Sequence, residues 1–279
     1  MRVAAIIPAR YNSTRLPAKP LQKLGCKCII EWVYNAVSDV IEDVVVATDD
    51  ERIAAEVERF GGRAIMTSSE HPSGTDRCAE ALAKMGGNYD VVVNVQGDEP
   101  FIRREHLEAL LECFNNPATE IATLAKPMTA AEDAEAIHNP NYVKVVTDQR
   151  GRALYFSRAA IPFQRDVERS EWTKHHTYLK HIGIYAFRSE TLRAVTALPS
   201  SALERTEKLE QLRWLEHGYH ISIATTEFAT MGIDTPEDLI RAEELIKQLR
   251  SSSADKMTLR RLLSRTVRCP LHFGQLEIS

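Results

Sequence analysis

Four short runs of apolar and β-branched residues recur along the first half of the chain, and helix-like segments separate them. The runs cover residues 3–7, 44–48, 91–95 and 121–125. In the segments between them, apolar residues recur at helical spacing, as at Leu107, Leu110 and Phe114. Strands that alternate with helices pair in parallel, because each helix carries the chain back across the sheet. The pattern predicts an α/β fold with a mostly parallel sheet flanked by helices.

The later part of the chain departs from this alternation. Short strand-like pieces, VKVVT, ALYF and HIGIYAF, surround a charged loop, so we expect a small strand-rich insertion at about residues 140–190. Residues 203–217 then predict one helix and ISIAT a strand, while Thr235 and Pro236 suit the start of a further helix. We therefore expect one domain over residues 1–250, followed by a basic tail of unassigned role at residues 251–279.

Charge and composition disfavour several classes of protein. A formal net charge of -4 gives no general attraction for nucleic acid or anionic lipid. No apolar run is long enough to span a bilayer or to form a signal-peptide core, so we expect a cytoplasmic protein without membrane insertion. The five cysteines are scattered, and the C-x-C formed by Cys26 and Cys28 lacks the second pair that structural zinc usually takes.

The first apolar run leads directly into a basic loop, IPARYNSTRLPAKPL. Arg10, Arg15 and Lys19 lie there with Ser13 and Thr14, at the sheet edge where open α/β folds bind ligands. Cations, hydroxyl donors and stiffening prolines suit a triphosphate, although a solvated basic loop would have the same composition. The loop matches neither G-x-G-x-x-G nor G-x-x-x-x-G-K-[ST], so a dinucleotide-dependent enzyme or a P-loop kinase is disfavoured.

Two carboxylates follow predicted strands and are expected at the same edge of the sheet. Asp98 ends the segment VVVNVQGD, and Asp234 lies in GIDTPEDL. Mg²⁺ prefers a few hard oxygen ligands together with substrate phosphates, so both aspartates are predicted magnesium ligands, with plain turn residues as the alternative. The turn HPSGTDR could bring backbone groups close to a base, but a capped helix start explains it equally well.

Taken together, nine segments resemble the 3-deoxy-manno-octulosonate cytidylyltransferases, and the resemblance covers residues 1–247. In order, the segments are IPARYNSTRLPAKPL, VVVATDDERI, HPSGTDR, VVNVQGDEP, NPNYVKVV, ALYFSRAAIP, HIGIYAFR, LEQLRWLEHGY and GIDTPEDL. The resemblance implies a fold of the nucleotide-diphospho-sugar transferase type, a homodimer, Mg²⁺ as cofactor, and CTP with the sugar acid Kdo as substrates. The products would be CMP-Kdo, for lipopolysaccharide biosynthesis, and pyrophosphate.

The same resemblance implies a role for individual residues. The CTP phosphates would be held by Arg10, Ser13, Arg15 and Lys19. The cytosine ring of CTP would lie against Ser73, Gly74 and Arg77. The sugar site would comprise Gln96, Arg158, His181, Tyr185, Glu210 and Gln211. The catalytic set would be Asp98 and Asp234 with magnesium, and Arg15 and Lys19 on the departing pyrophosphate. An arginine and a histidine suit a sugar acid, because its carboxylate needs cations and its hydroxyls need partners.

The implied reaction is an in-line displacement at the α-phosphorus of CTP by the anomeric hydroxyl, without a covalent enzyme intermediate. Activation of sialic acid or amino-substituted Kdo is the nearest alternative. A non-catalytic CTP-binding module would not need both aspartates, and a glycosyltransferase would normally carry D-x-D in place of Gln96-Gly97-Asp98. The chain departs from the family at Cys26, Lys27 and Cys28, where glycine-lysine-proline is usual, which could alter the start of the next helix.

Overall fold

The computed structural model describes residues 1–12, 15–128 and 133–251, and the statements below concern this part of the chain. Outside it lie Ser13, Thr14 and residues 129–132 and 252–279. The strands are β1 (Val3–Ala9), β2 (Lys23–Leu24), β3 (Lys27–Cys28), β4 (Asp43–Thr48), β5 (Ala64–Met66), β6 (Val91–Asn94), β7 (Ile121–Met128), β8 (Lys144–Thr147), β9 (Ala153–Ser157), β10 (Tyr178–Arg188) and β11 (Ile221–Thr225). The helices are α1 (Ile29–Ser38), α2 (Glu51–Arg59), α3 (Gly74–Met85), α4 (Arg104–Glu112), α5 (Asp133–Ala136), α6 (Trp172–His175), α7 (Ser189–Thr196), α8 (Ala202–Glu207), α9 (Gln211–Glu216) and α10 (Pro236–Ser251).

The main sheet has the strand order β11-β7-β10-β6-β1-β4-β5. Along this path β10 is antiparallel to both of its neighbours, and the other strands run in one direction. The prediction of a mostly parallel sheet is therefore confirmed, and the four predicted strands correspond to β1, β4, β6 and β7.

Helices cover both faces of the sheet. Ile7 of β1 packs into a buried cluster with side chains of α1, α2 and α4, whereas Ile6 packs on the other side with side chains of α3, α7 and α9. Neighbouring residues of a strand point to opposite faces, so a strand buried on both sides is apolar throughout. This explains why the run in β1 is continuous rather than alternating. None of the described helices is both long and apolar enough to cross a bilayer.

The strand-rich segment is joined to the main sheet by one long strand. β9 pairs with β8, and β8 pairs with the first part of β10 at Leu179 and Lys180. After a register shift between Ile182 and Tyr185, the second part of β10 lies between β6 and β7. The segment is thus an extension of the main sheet, because β10 belongs to both parts. The domain boundaries given above stay a prediction.

The single helix predicted over residues 203–217 is wrong, because the chain breaks it in two. α8 ends at Glu207, and Lys208 has φ 54°, in the left-handed region that interrupts a right-handed helix. α9 then begins at Gln211. The break leaves the carbonyl groups of Glu207 and Lys208 available to other donors. The predicted helix start at Pro236 is confirmed, and Thr235 Oγ1 accepts a first-turn backbone N–H at 3.2 Å.

Candidate active site

Three charged side chains from distant parts of the chain meet beside the sheet. The ammonium of Lys19 lies 2.5 Å from a carboxylate oxygen of Asp98 and 2.8 Å from one of Asp234. Only 16% of the Lys19 side chain is exposed. Burial alone would lower the pKa of Lys19, but the charges and hydrogen bonds of the two aspartates outweigh burial and raise it. Lys19 therefore stays positively charged between the two carboxylates.

The fold brings these groups together through adjacent strands. Lys19 lies in the loop after β1, and Asp98 lies just beyond the end of β6, which pairs with β1. The backbone N–H of Ile233 donates to the carbonyl oxygen of Asp98 at 2.9 Å. That hydrogen bond fixes the segment before α10, and with it Asp234, next to the other two residues.

Seven of the predicted residues line one open cavity of about 330 Å³ at this point. They are Arg10, Arg15, Lys19, Gly74, Gln96, Asp98 and Asp234. A Cβ at neighbouring Gly97 would lie 2.9 Å from the carbonyl oxygen of Pro8, so only glycine permits this close approach of the turn to β1. The cavity therefore combines cations with carboxylates, as a metal-bound polyphosphate requires.

The two arginines of the basic loop are held differently. Nη2 of Arg10 donates to the carbonyl oxygen of His71, which holds this side chain against the turn before α3. Nη2 of Arg15 lies 3.1 Å from Asp234, while 65% of the Arg15 side chain remains exposed. Arg15 can therefore turn toward a ligand at little cost. Ser13, the remaining predicted phosphate contact, lies outside the described residues.

The geometry of Asp98 and Asp234 fits a hard divalent cation. Both carboxylates contact the same atom, Lys19 Nζ, so their oxygens converge on one point of the cavity. Two carboxylates beside a loop predicted to bind phosphates are a donor set that Mg²⁺ takes. Their role as metal ligands stays a prediction.

Another group of metal-capable side chains surrounds the start of α1. Atoms of Cys28, Glu31 and Glu56 lie within 4.8 Å of one another. Both carboxylates already have cationic partners, since Arg59 lies 3.6 Å from Glu31 and 2.6 Å from Glu56, and Lys27 lies 3.9 Å from Glu31. Burial raises the pKa of the Cys28 thiol to about 12, so the thiol is protonated beside these ion pairs. We assign this cluster to ion pairing beneath the helix.

The residues predicted for the cytosine side lie at the start of α3. Ser73 caps this helix by accepting a first-turn backbone N–H at 3.2 Å, and Gly74 lines the cavity. Arg77 is fully buried, where Nη1 donates to the Thr67 hydroxyl at 2.5 Å and Nη2 lies 3.2 Å from Asp49. Arg77 thus connects α3 to the ends of β4 and β5. Contact of these residues with a base stays a prediction.

The carboxylate of Glu210 links the start of α9 to the start of α3. It accepts hydrogen bonds from the hydroxyls of Ser73 at 2.9 Å and Thr75 at 2.8 Å, and from Arg213 at 2.9 Å. Burial raises the pKa of Glu210 although these donors oppose it. Glu210, which is predicted for the sugar site, therefore also fixes the turn at Ser73 that is predicted to contact cytosine.

A continuous row of rings connects other residues predicted for the sugar site. Phe156 of β9 lies 5.0 Å from the ring of His181, which lies 5.4 Å from Tyr185, and Tyr185 lies 5.1 Å from Trp214 of α9. Gln211 is buried in the first turn of the same helix. The Tyr185 hydroxyl is buried and, among the described residues, makes no hydrogen bond of ordinary geometry, although the Thr123 side chain interacts with it and opposes the rise of its pKa on burial. A buried polar atom so weakly paired can bind a ligand that supplies a better partner.

His181 is a neutral histidine, which corrects the expectation that it offers a cation. Burial lowers its pKa to about 3. Its Nε2 lies 3.1 Å from Thr123 Oγ1, whose single proton has the carbonyl oxygen of Ile184 as an acceptor at 2.8 Å. Nε2 of His181 therefore donates, and Nδ1 carries a lone pair that can accept a hydrogen bond.

Arg158 is the cationic residue of the predicted sugar set, and backbone carbonyls orient its guanidinium. Nε donates to Glu207 at 2.7 Å, Nη1 to Pro140 at 3.0 Å and Nη2 to Lys208 at 3.4 Å. A guanidinium carries five N–H groups, so one on each terminal nitrogen remains. That remaining pair could hold a carboxylate with two hydrogen bonds.

Comparison with known proteins gives the family. Residues 4–223 match the family model described as Cytidylyltransferase. The chain belongs to the cytidylyltransferase family. Within it, the 3-deoxy-manno-octulosonate cytidylyltransferase of Bacteroides thetaiotaomicron is 56% identical over 247 residues, which cover 88% of this chain and 99% of that relative. A protein of the same name from Phocaeicola vulgatus is 57% identical over 248 residues, covering 89% of this chain and 98% of that relative.

Solved structures agree with this assignment. The structure of CMP:2-keto-3-deoxy-manno-octonic acid synthetase complexed with CTP superimposes with a TM-score of 0.81 at 42% identity, covering 89% of this chain and 99% of that one. A 4-diphosphocytidyl-2C-methyl-D-erythritol synthase from Anaerococcus prevotii has a TM-score of 0.57 at 14% identity, covering 88% of this chain and 98% of that one, and shares the fold alone. The resemblance, the fold class and the identification as a nucleotidyltransferase are therefore confirmed.

The cytidylyltransferase site contains one buried carboxylate that the sequence pattern did not single out. Glu99 directly follows Asp98, and its Oε2 is buried without a hydrogen bond within the described chain. Burial, followed by the charge of Asp98, raises the pKa of Glu99 to about 8. Its position in QGDE was the available signal, but the sequence does not reveal that this side chain is buried.

We expect Glu99→Gln to change how the stability of the cytidylyltransferase depends on pH. Between the ordinary glutamate pKa of 4.5 and the folded value of about 8, the folded protein binds more protons than the unfolded chain, so this group makes stability fall as pH rises. Glutamine cannot ionise and removes that contribution. Urea unfolding without divalent cations from about pH 5 to 8.5 should show a shallower fall for the variant.

The exposed Glu237 of α10 gives a matched control, and Glu237→Gln should keep the wild-type pH profile. An unchanged profile for Glu99→Gln would contradict the assignment of Glu99 as a protonated side chain.

Proposed function

We propose that this chain transfers CMP from CTP to the anomeric hydroxyl of Kdo, giving CMP-Kdo and pyrophosphate. The observation that carries the proposal is the Asp98–Lys19–Asp234 cluster in a cavity with Arg10 and Arg15. The relatives named 3-deoxy-manno-octulosonate cytidylyltransferase and the neighbour complexed with CTP support the choice of substrates.

The arrangement supports a reaction that proceeds by positioning and charge neutralisation. Arg10, Arg15 and Lys19 would bind the triphosphate. The anomeric oxygen of the sugar would then attack the α-phosphorus as the bond to the bridging oxygen of the β-phosphate breaks. Pyrophosphate takes the electron pair of that bond, and Arg15 and Lys19 would stabilise its charge. The hydroxyl proton passes to solvent, and no covalent bond to the protein forms.

We infer that Asp98 and Asp234 hold Mg²⁺, and that Mg²⁺ is the cofactor. Bound there, the ion supplies positive charge to the α-phosphate during the transfer. The two aspartates would bind and orient the ion, and Lys19 pairs with both of them here.

The sugar acid would lie beside the row of rings between β9, β10 and α9. The two remaining N–H groups of Arg158 suit the carboxylate of Kdo. Nδ1 of His181 can accept from a sugar hydroxyl, and the weakly paired Tyr185 hydroxyl can bind another. Gln96 lines the cavity that contains Lys19, Asp98 and Asp234, which we call the phosphate cavity, and would lie between the two substrates. Sialic acid and amino-substituted Kdo offer the same carboxylate and stay the alternatives to be tested.

We also propose that two copies of this chain form a homodimer through the strand-rich segment. Its outer surface exposes large apolar side chains, with 62% of Leu154 and 72% of Phe163 accessible. Tyr142, which is 36% exposed, belongs to the same segment. These three are among the eight exposed large apolar side chains of the described residues, and we commit to a second copy of the chain as the partner that covers them.

The proposal includes a cytoplasmic location and a role in lipopolysaccharide biosynthesis. The cytoplasm supplies CTP, and a CMP-activated sugar acid is a substrate for a glycosyltransferase. The cysteines within the described residues are free thiols, as a reducing compartment favours.

Pyrophosphate release by the purified chain tests the proposed function. With Mg²⁺ present, we expect release with CTP and Kdo, and not with ATP, GTP or UTP. Parallel reactions with amino-substituted Kdo and N-acetylneuraminate identify the sugar acid. Release with only one of those two acids would identify that acid as the substrate in place of Kdo. No release with Kdo or with either of them would contradict the proposal that the chain is an enzyme.

We expect Asp98→Asn to keep the fold and to lower turnover by about 10³-fold or more, because it removes one of two charges that hold the metal. Glu237→Gln is the matched control, since this carboxylate is exposed on α10 and does not line the cavity, and its turnover should stay within a few-fold of wild type. The check is pyrophosphate release at saturating substrates, with a thermal unfolding curve for each variant. Near-normal turnover of Asp98→Asn would exclude its role as metal ligand.

We expect Leu154→Glu to convert the dimer to a monomer, because a charge at the centre of an apolar contact opposes its burial. Ile240→Glu on α10 is the control, since Ile240 is 59% exposed and lies outside the strand-rich segment. Light scattering after size-exclusion chromatography should give twice the chain mass for wild type and Ile240→Glu. A dimeric Leu154→Glu variant would place the interface elsewhere.

A further inference from the structure

Lys144 in β8 is a fully buried lysine for which neither the family resemblance nor the proposed mechanism gives a role. Its ammonium donates to three backbone carbonyl oxygens, those of Asn139 at 3.1 Å, Tyr142 at 2.5 Å and Arg158 at 2.6 Å. An ammonium has three N–H groups, so all of its donors are satisfied by backbone. No carboxylate of the described chain forms an ion pair with it.

Burial lowers the pKa of Lys144 to about 8, so the amine still carries its proton at neutral pH. A buried ammonium is tolerated only where hydrogen bonds replace its water. Here the replacement comes from segments on both sides of β8 in the sequence. The side chain therefore fixes the positions of these two segments relative to each other.

One of those segments is the turn before β8. The N–H of Tyr142 donates to the carbonyl oxygen of Asn139 at 3.1 Å, which closes the turn. Between them, the carbonyl oxygen of Pro140 accepts from Nη1 of Arg158 at 3.0 Å. Lys144 thus binds both carbonyls that flank the one that receives Arg158.

The other segment is Arg158 itself, whose own carbonyl oxygen contacts Lys144. Its guanidinium then lies between two supports. One is the turn held by Lys144, and the other is the break between α8 and α9, through the carbonyls of Glu207 and Lys208. Without Lys144 the turn would be held by its own hydrogen bond from Tyr142 to Asn139, so the first support would loosen and the guanidinium could shift from its direction.

We propose that Lys144 is a positioning residue for the acidic substrate, acting by fixing the direction in which Arg158 presents its two remaining N–H groups. The inference rests on the proposed function, in which Arg158 binds the carboxylate of the sugar acid. Lys144 itself does not contact substrate. The carboxylate of the sugar acid requires two donors at a fixed spacing, so a rotated guanidinium would bind it less well. The phosphate cavity would not change.

The test is the effect of Lys144→Met on the two substrates separately. Methionine fills a similar volume without N–H donors. We expect the KM for Kdo to rise about tenfold or more, with the KM for CTP within about twofold of wild type. Lys27→Met is the matched control, because Lys27 is also a buried lysine but lies in β3, where it pairs with Glu31 and does not line the cavity. It should lower thermal stability without separating the two KM values.

A second arm tests whether the effect passes through Arg158. In an Arg158→Ala background, Lys144→Met should raise the KM for Kdo no further. A simple loss of packing would instead add to the effect of Arg158→Ala. Lys144→Gln, which keeps two N–H donors, should give an intermediate KM for Kdo, and it replaces the methionine variant if that chain does not fold.

The outcomes separate this inference from the function on which it rests. A wild-type chain inactive with every sugar acid would overturn the proposed function. If the wild type is active, two results would overturn the positioning role alone. One is an unchanged KM for Kdo in the Lys144 variants, and the other is an equal rise of the KM values for Kdo and CTP. Hydrogen exchange of the backbone amides of Asn139, Asn141 and Tyr142 adds a readout that needs no substrate. Exchange no faster in Lys144→Met than in wild type would also overturn the positioning role.

Discussion

The ion bridge from Asp98 through Lys19 to Asp234 is the interaction on which the rest of the site depends. Its members are 79 and 215 residues apart in sequence, so only the completed sheet can bring them together. β1 and β6 must pair for Lys19 to meet Asp98, and the hydrogen bond from Ile233 to Asp98 must form for Asp234 to join them. Two carboxylates this close repel each other unless a cation lies between them. The chain provides that cation itself.

The sugar side is built from a different set of constraints. β10 carries His181 and Tyr185 from the strand-rich segment into the main sheet, where Tyr185 pairs with Asn94 at the end of β6, the strand that leads to Asp98. The left-handed residue Lys208 breaks a helix and thereby frees carbonyls that orient Arg158. Glu210 then links the second half of that broken helix to the turn at Ser73. The two halves of the site are therefore joined by direct hydrogen bonds.

Features that depend on local pattern could be predicted from the sequence. The parallel strands follow from continuous apolar runs, and Lys19, Asp98 and Asp234 meet because each follows a strand or begins a helix at one edge. Features that depend on burial could not. The neutral state of His181, the raised pKa of Glu99 and the satisfied ammonium of Lys144 arise from neighbours that are distant in sequence. The break at Lys208 also escaped prediction, because lysine has no preference for left-handed backbone and tertiary contacts decide its conformation.

The proposed function requires Asp98 and Asp234 to hold the catalytic metal together. Anomalous scattering from Mn²⁺ in crystals grown with CTP tests this most directly, because manganese substitutes for magnesium and its position is seen without assumptions about the protein. We expect a manganese peak in contact with carboxylate oxygens of both aspartates, with the ammonium of Lys19 on the phosphates. A peak bound to the nucleotide alone, with Lys19 still bridging Asp98 and Asp234, would contradict it.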